Sequence, residues 1–255
     1  MAGAHASSLL VPGDSLLHRL RPQCKIAAAI AFILIVVSTP REQFWAFAAY
    51  AACLAVVTRR SGLPVRLVLR RLTVDLPFLA FAVFLPFFAG GEQIGDGWWS
   101  LSVDGLWASW NIVVKGTLGV ATSVLLTGTT SLADLIRGME RLHAPAAFTS
   151  ITTFMVRYAE VITGEMQRMK VARESRGHDP RWIWQIRAIA HSAGTLFVRS
   201  YERGERVHLA MLSRGFDGAM PRLSDGAATR REWTTAALLP AVALTVSVAA
   251  WTVQW

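Results

Sequence analysis

LWASWNIVVKGTLGVATSVLL, residues 106–126, is the stretch whose reading decides the fold. It holds one charge, Lys115, and is long enough by itself to cross a bilayer core, which takes about 20 mostly apolar residues. Three apolar runs precede it, at 26–39, 44–58 and 76–90, and a fifth, 233–251, closes the chain. The first three are short. They approach spanning length when flanking Lys25, Gln43, Arg71 and Asp75 are included, because such groups snorkel or pair at an interface. The number of runs predicts an all-α integral membrane protein with about five transmembrane helices.

Composition agrees. Of 255 residues, 53% are hydrophobic and 17% charged, against about 25% charged in soluble domains. An ordinary soluble enzyme and a disordered chain are excluded. Cys24 and Cys53, both in or beside apolar runs, are too few for a disulfide scaffold. Asp14, Arg19, Arg21 and Lys25 precede the first run, and Ser38-Thr39-Pro40-Arg41 follows it, so it reads as a retained anchor and not a cleaved leader.

The net charge of +9 is distributed by side. Basic residues lie in 1–25, in 59–71 (Arg59, Arg60, Arg66, Arg70, Arg71, with no acid) and in 129–231. The loops between are different: 40–43 has only Arg41, and 91–104 has none, carrying Glu92, Asp96 and Asp104 instead. The positive-inside rule places the N-terminus in the cytoplasm and 91–104 outside, flanked by Trp98, Trp99, Trp107 and Trp110 as interfacial aromatics. This gives three segments: residues 1–128 with four transmembrane helices, 129–231 cytosolic, and 232–255 with the C-terminal transmembrane helix.

The cytosolic segment is neither lipid-like nor disordered. Ser131-Leu132-Ala133-Asp134 and Pro145 read as helix starts. From Pro145 to Arg176, Phe148, Ile151, Met155, Tyr158, Ile162, Met166, Met169 and Ala172 recur at steps of 3 and 4, the period of a long amphipathic helix. A like stripe (Trp182, Ile186, Ile189, Ala193, Leu196, Leu212) runs from Arg181 to Arg214.

Both helices end alike. The first ends Ser175-Arg176-Gly177-His178-Asp179-Pro180-Arg181; the second ends Ser213-Arg214-Gly215-Phe216-Asp217, with Pro221-Arg222 following. Two readings fit. Gly past a helix end supplies a left-handed cap, and Arg in the last turn complements the helix dipole. Alternatively, two Arg forks projecting from helix tips dock into two like sockets of a partner.

These residues resemble the transmembrane T component of energy-coupling-factor transporters, cobalt/nickel CbiQ branch. The likeness extends over nearly the whole chain. It includes Leu16-Leu17-His18-Arg19-Leu20-Arg21-Pro22-Gln23-Cys24-Lys25, Val37-Ser38-Thr39-Pro40, Ser61-Gly62-Leu63-Pro64, Arg70-Arg71-Leu72 and Leu76-Pro77-Phe78. The paired tips carry it most specifically; the family's motif is Ala-Arg-Gly, and Ser175 and Ser213 replace its Ala. The resemblance implies a non-catalytic scaffold and transducer in the cell (inner) membrane. Its long coupling helices would seat Arg176 and Arg214, flanked by Ser175, Gly177, Ser213 and Gly215, in grooves of an ATPase dimer. A separate multi-spanning capture protein would hold the cobalt or nickel ion. No cofactor is implied in this chain; ATP and Mg belong to the ATPase subunits.

Other chemistry is poorly supported. No G-x-x-x-x-G-K-[ST] or G-x-S-x-G occurs, and the six His residues lack metal-ligand spacing. Asp225-Gly226-Ala227-Ala228-Thr229-Arg230 opens like a membrane phosphotransferase signature, but no acid follows Glu232, so a membrane enzyme is disfavoured. A self-sufficient permease is the chief alternative. Nucleic acid is not expected, since the basic residues face lipid headgroups. Within apolar runs, Asp75 is expected to pair with Arg71, and Lys115 to snorkel or meet a partner. Glu165 reads as a solvated-face charge near Arg168.

Overall fold

The computed structural model describes residues 11, 13, 15–88, 90, 93–94, 101–177, 186–218 and 228–252. Trp98, Trp99, His178–Arg181, Trp182, Pro221, Arg222 and Asp225–Ala227 lie outside the described residues. The described elements are α1 (Leu16–Arg19), α2 (Pro22–Ser38), α3 (Phe44–Ser61), α4 (Val65–Leu72), a 3-10 turn (Thr73–Asp75) and α5 (Leu76–Phe88). Then follow a two-residue antiparallel ladder, β1 (Gln93–Ile94) with β2 (Leu101–Ser102), and α6 (Val103–Thr129), α7 (Leu132–Arg141), α8 (Ala146–Glu174), α9 (Ile186–Leu212) and α10 (Arg230–Thr252).

Local chemistry sets the boundaries. Pro22 opens α2, where its missing N–H costs nothing, and Thr39, held extended before Pro40, closes it. Ser102 Oγ accepts from Gly105 N at the start of α6. Ser131 Oγ accepts from Asp134 N at the start of α7, and Pro145 precedes α8, both as the sequence predicts. Thr229 and Glu232 form a reciprocal capping box at α10: the carboxylate accepts from Thr229 N at 2.7 Å, and Thr229 Oγ1 accepts from Glu232 N at 3.4 Å.

The chain divides into two compact units, one over Leu9–Gly138 with Gly226–Trp255, the other over Met139–Asp225. The first is a helical membrane unit. Among its described residues, three helices are long and apolar enough to span: Val65–Phe88, Val103–Thr129 and Arg230–Thr252. The shorter α2 and α3 have 17 and 18 residues, each about 26 Å long, slightly less than a core of about 30 Å. Residues 59–71 are not the loop that the charge pattern suggested. Gly62 (φ 73°) ends α3, Pro64 starts α4, and α4 continues through the 3-10 turn into α5, lengthening the third span.

The core of this unit joins Phe32 and Val36 of α2, Phe47, Tyr50 and Leu54 of α3, Leu118 and Leu125 of α6, and Ala243 and Ala250 of α10. Lipid is as apolar as a leucine side chain, so close packing and interhelical hydrogen bonds hold such a core. Tyr50 is wholly buried; its hydroxyl meets Thr39 Oγ1 at 2.9 Å and donates to Ala243 O at 3.4 Å. Phe32 and Phe47 stand edge-on to its ring.

Pro86, inside α5, removes the hydrogen bond that Ala82 O would accept. Ser109 of α6 fills the vacancy: its Oγ lies 2.6 Å from Ala82 O and 2.8 Å from Gly105 O, with one proton shared between them. Two lysines cap helix ends in the same way. Lys25, in the first turn of α2, donates to Thr129 O (3.0 Å) and Thr130 Oγ1 (3.1 Å) at the end of α6. Lys115 of α6 donates to Val37 O (2.7 Å) at the end of α2. Each ammonium sits at the negative end of the other's helix, so the two antiparallel helices are clasped twice.

Asp75 does not pair with Arg71. Its buried carboxylate accepts from Thr117 Oγ1 at 3.2 Å and faces Gly116, whereas Arg71 Nη1 stands beside Gly128. Those two glycines are about 18 Å apart along α6, too far for an ion pair. The pairing is thus set by which face of α6 each group meets, not by sequence spacing.

Candidate functional site

The second unit carries the paired tips. Its helices α8 and α9 have 29 and 27 residues, about 40 Å each. They run antiparallel: Arg173 Nη1 donates to Ser192 Oγ at 3.1 Å, and Glu165 receives Arg199 Nη1 at 3.1 Å and Arg203 Nη2 at 3.2 Å. Glu165 is therefore not a solvated-face charge: it is only 8% exposed, and both of its oxygens are committed to α9. The hydrogen bond from Arg199, then that from Arg203, holds its carboxyl below the usual carboxylate range, against the opposing pull of desolvation. The i, i+4 spacing of Arg199 and Arg203 is the sequence signal for this clasp, but their acceptor is more than thirty residues away.

The two tips match bond for bond. At the first, Ser175 N donates to Val171 O (2.9 Å), Arg176 N to Arg173 O (3.2 Å), Gly177 N to Glu174 O (3.0 Å) and Ser175 Oγ to Ala172 O (3.0 Å). At the second, Ser213 N donates to Leu209 O (3.0 Å), Arg214 N to Met211 O (3.0 Å), Gly215 N to Leu212 O (3.0 Å) and Ser213 Oγ to Ala210 O (3.0 Å). Gly177 and Gly215 have φ of 76° and 82°. Phe216 N closes the second turn on Met211 O at 3.0 Å, completing a Schellman motif. Each serine hydroxyl is satisfied by its own helix, so serine in place of alanine leaves the turn unchanged.

Capping accounts for the glycines but not for the arginines. The ends of α3 and α7 turn through the same geometry at Gly62 (φ 73°) and His143 (φ 64°). The residues before those positions are Ser61 and Leu142; only at α8 and α9 is the residue arginine. Arg176 and Arg214 are both exposed, and among the described residues neither guanidinium has a partner. From Ser192, beside Arg173, to the end of α9 is about 30 Å of helix. The tips therefore stand at opposite ends of the pair, each presenting an unshielded fork of five donors.

Around them the helices expose large apolar side chains: Phe148, Ile151 and Met155 on α8, and Phe197, Tyr201 and Leu209 on α9. Phe148, Ile151 and Met155 belong to the amphipathic stripe that the sequence predicts. The stripe is open at Phe148, Ile151, Met155 and Met166 and half-buried at Tyr158, Ile162 and Met169. No three His, Cys, Asp or Glu side chains converge among the described residues.

Comparison with known proteins gives the family. The family model for CbiQ, described as cobalt transport protein, matches residues 13–224. The chain belongs to the CbiQ family. It is similar to an energy-coupling factor transporter transmembrane protein of Thermanaerovibrio acidaminovorans, 31% identical over 225 residues that cover 83% of each chain. The corresponding protein of Listeria innocua is 26% identical, over 83% of this chain and 84% of that one. A putative fused cobalt transport protein CbiMQ of Methanocorpusculum labreanum is 27% identical over 80% of this chain and 35% of its own length. The family and the all-α membrane fold agree with the sequence reading. This CbiQ-family chain presents its two matched arginine tips on the unit with exposed apolar helices.

Proposed function

We propose that this chain is the transmembrane scaffold and energy-transducing subunit of an ATP-driven energy-coupling-factor importer for cobalt or nickel ions. It lies in the inner membrane with its N-terminus in the cytoplasm. It performs no catalysis; ATP and Mg are handled by a dimer of ATPase subunits that grip Arg176 and Arg214. A multi-spanning capture protein supplies the ion, and movement of the ATPases reaches it through α8 and α9. The observation that carries this reading is the pair of tips with one hydrogen-bond pattern and two exposed arginines that have no partner among the described residues. The relatives' printed names support the transporter class, and the fused CbiMQ protein and the family description support cobalt.

Alanine at either arginine tests it. A cap alone is worth about 0.3–1 kcal/mol, and its loss would leave assembly intact. A charge-assisted anchor at an interface centre costs about 2 kcal/mol or more on truncation, and two-point attachment to one dimer is lost with either tip. Arg176→Ala and Arg214→Ala are each expected to weaken ATPase co-purification and abolish uptake. Lysine is expected to rescue partly, because an ammonium lacks the planar fork. Full uptake by the double alanine variant at normal membrane abundance would refute the coupling role.

A further inference from the structure

The membrane unit contains a cleft of about 450 Å³ that includes no residue of the tips or of the α8–α9 clasp. Its walls come from five helices, with Leu17 of α1, Ala29 of α2, Ala52 and Val57 of α3, Leu126 of α6 and Leu239 of α10 among the lining residues. Fourteen of the nineteen lining residues are aliphatic. The small residues Ala28, Ala29, Ala52 and Ala236 keep it open. An open-sided cleft of this size suits a slender apolar ligand, whereas a protein partner buries about 800 Å² on a broader face.

One end of the cleft is cationic. Lys25 lines it, and its three donors go to the neutral oxygens of Thr129, Thr130 and His18. Arg60 lies one helical turn beyond the lining residue Val56, Arg231 one turn before the lining residue Thr235, and Arg19 next to Leu20. All three arginines are exposed. Two carboxylates lie near this end, and both are engaged: Glu232 is tied to Thr229 and lies 3.6 Å from Arg21, and Asp134, which faces Lys25, accepts from Ser131 Oγ and lies 3.4 Å from Arg137. A largely aliphatic cleft in a membrane-spanning unit, with exposed arginines within a turn of its lining at one end, matches an acyl chain below an anionic phosphate.

We propose that this cleft binds one anionic glycerophospholipid, its acyl chain between α2, α3, α6 and α10 and its phosphate against Arg60, Arg231 and Arg19. The lipid would fill space that the chain's own helices leave open and tie together the arginine-bearing ends of three elements.

The test uses the full chain, purified in detergent, stripped of lipid and examined by native mass spectrometry. Phosphatidylglycerol and phosphatidylcholine with the same acyl chains are the probes. The unaltered chain is expected to retain one phosphatidylglycerol, with at least a tenfold preference over phosphatidylcholine. Ala52→Phe, at an exposed wall position, is expected to lose that lipid with helicity unchanged. Arg60→Gln with Arg231→Gln is expected to bring the preference below about threefold. Equal retention of the two lipids by the unaltered chain overturns the proposal and needs no variant to fold. Competition by inorganic phosphate alone also overturns it, since the site would then read phosphate without a chain. Undiminished lipid retention by Ala52→Phe, together with reduced recovery of a partner subunit, would assign the cleft to that partner and likewise overturn it.

Discussion

Gly177 and Gly215 occupy a backbone region that costs an L-residue about 1–2 kcal/mol, and a Cβ at either would meet open space. The penalty for Gly215→Ala is therefore purely conformational. It should loosen the turn, and exchange of the Phe216 amide, which bonds Met211 O, should rise by about fivefold or more. Because Arg214 stays in place, ATPase co-purification should fall less than with Arg214→Ala. Equal losses would mean that the turn itself, not the guanidinium, is what a partner reads. The tips were legible in the sequence because each is local: Ser, Arg and Gly lie side by side and their hydrogen bonds span at most five residues. Lys25 and Lys115 were visible only as misplaced charges, because the carbonyls they cap lie 104 and 78 residues away.

Among elements, α5 and α6 meet at a point set by one proline. Ser109→Ala would leave Ala82 O without a donor inside the membrane, at a cost of about 1–3 kcal/mol. Pro86→Ala alone restores a helical N–H to that carbonyl, so Ser109 becomes dispensable. The double variant should consequently be more stable than Ser109→Ala alone, with the coupling read from a double-mutant cycle of unfolding in detergent. Additive losses would show that Pro86 and Ser109 act independently. The α8–α9 clasp has a different signature. Glu165 has a lowered pKa in the folded chain, so its contribution is fully present above the unfolded value, about 4.3, and is lost as pH falls through the lower folded value. Limited proteolysis between pH 6 and pH 3 (roughly the carboxylate range) should show the pair loosening in acid. Glu165→Gln should be loose already at neutral pH and lose most of this dependence. An unchanged acid profile in that variant would sink the clasp as its origin. Helical periodicity located α8 and α9, but not their pairing, since a stripe of apolar residues does not name the surface it meets. The short α4 was missed for a related reason: five arginines in 59–71 read as a loop, while Pro64 and the continuation into α5 make most of that segment helix.

On the scale of the membrane unit, the chemistry sorts to two ends. Arg41 lies over Trp107 at 5.9 Å, and Phe44 packs on Trp107 and Trp110, forming an aromatic cluster of the kind found at a membrane surface. The opposite ends of the helices carry Arg21 before α2, Arg59 and Arg60 at the end of α3, Arg66 in α4, and Arg230 and Arg231 at the start of α10. Successive helices thus alternate direction between an arginine end and an aromatic end, and the proposed orientation, which follows the positive-inside rule, has the first facing the cytoplasm. Ser61 is buried and its hydroxyl donates to Thr58 O, so it is a poor position for a topological label. Arg60 and Glu42 are exposed at opposite ends and serve better. With Cys24 and Cys53 replaced by serine, a membrane-impermeant maleimide added to intact cells should modify Glu42→Cys and spare Arg60→Cys until the membrane is opened. Arg60→Cys removes one of several cations at its end, so the charge bias that orients the chain should survive. The reverse pattern would put the arginine ends outside, away from cytosolic ATP, and would sink the proposed coupling through Arg176 and Arg214.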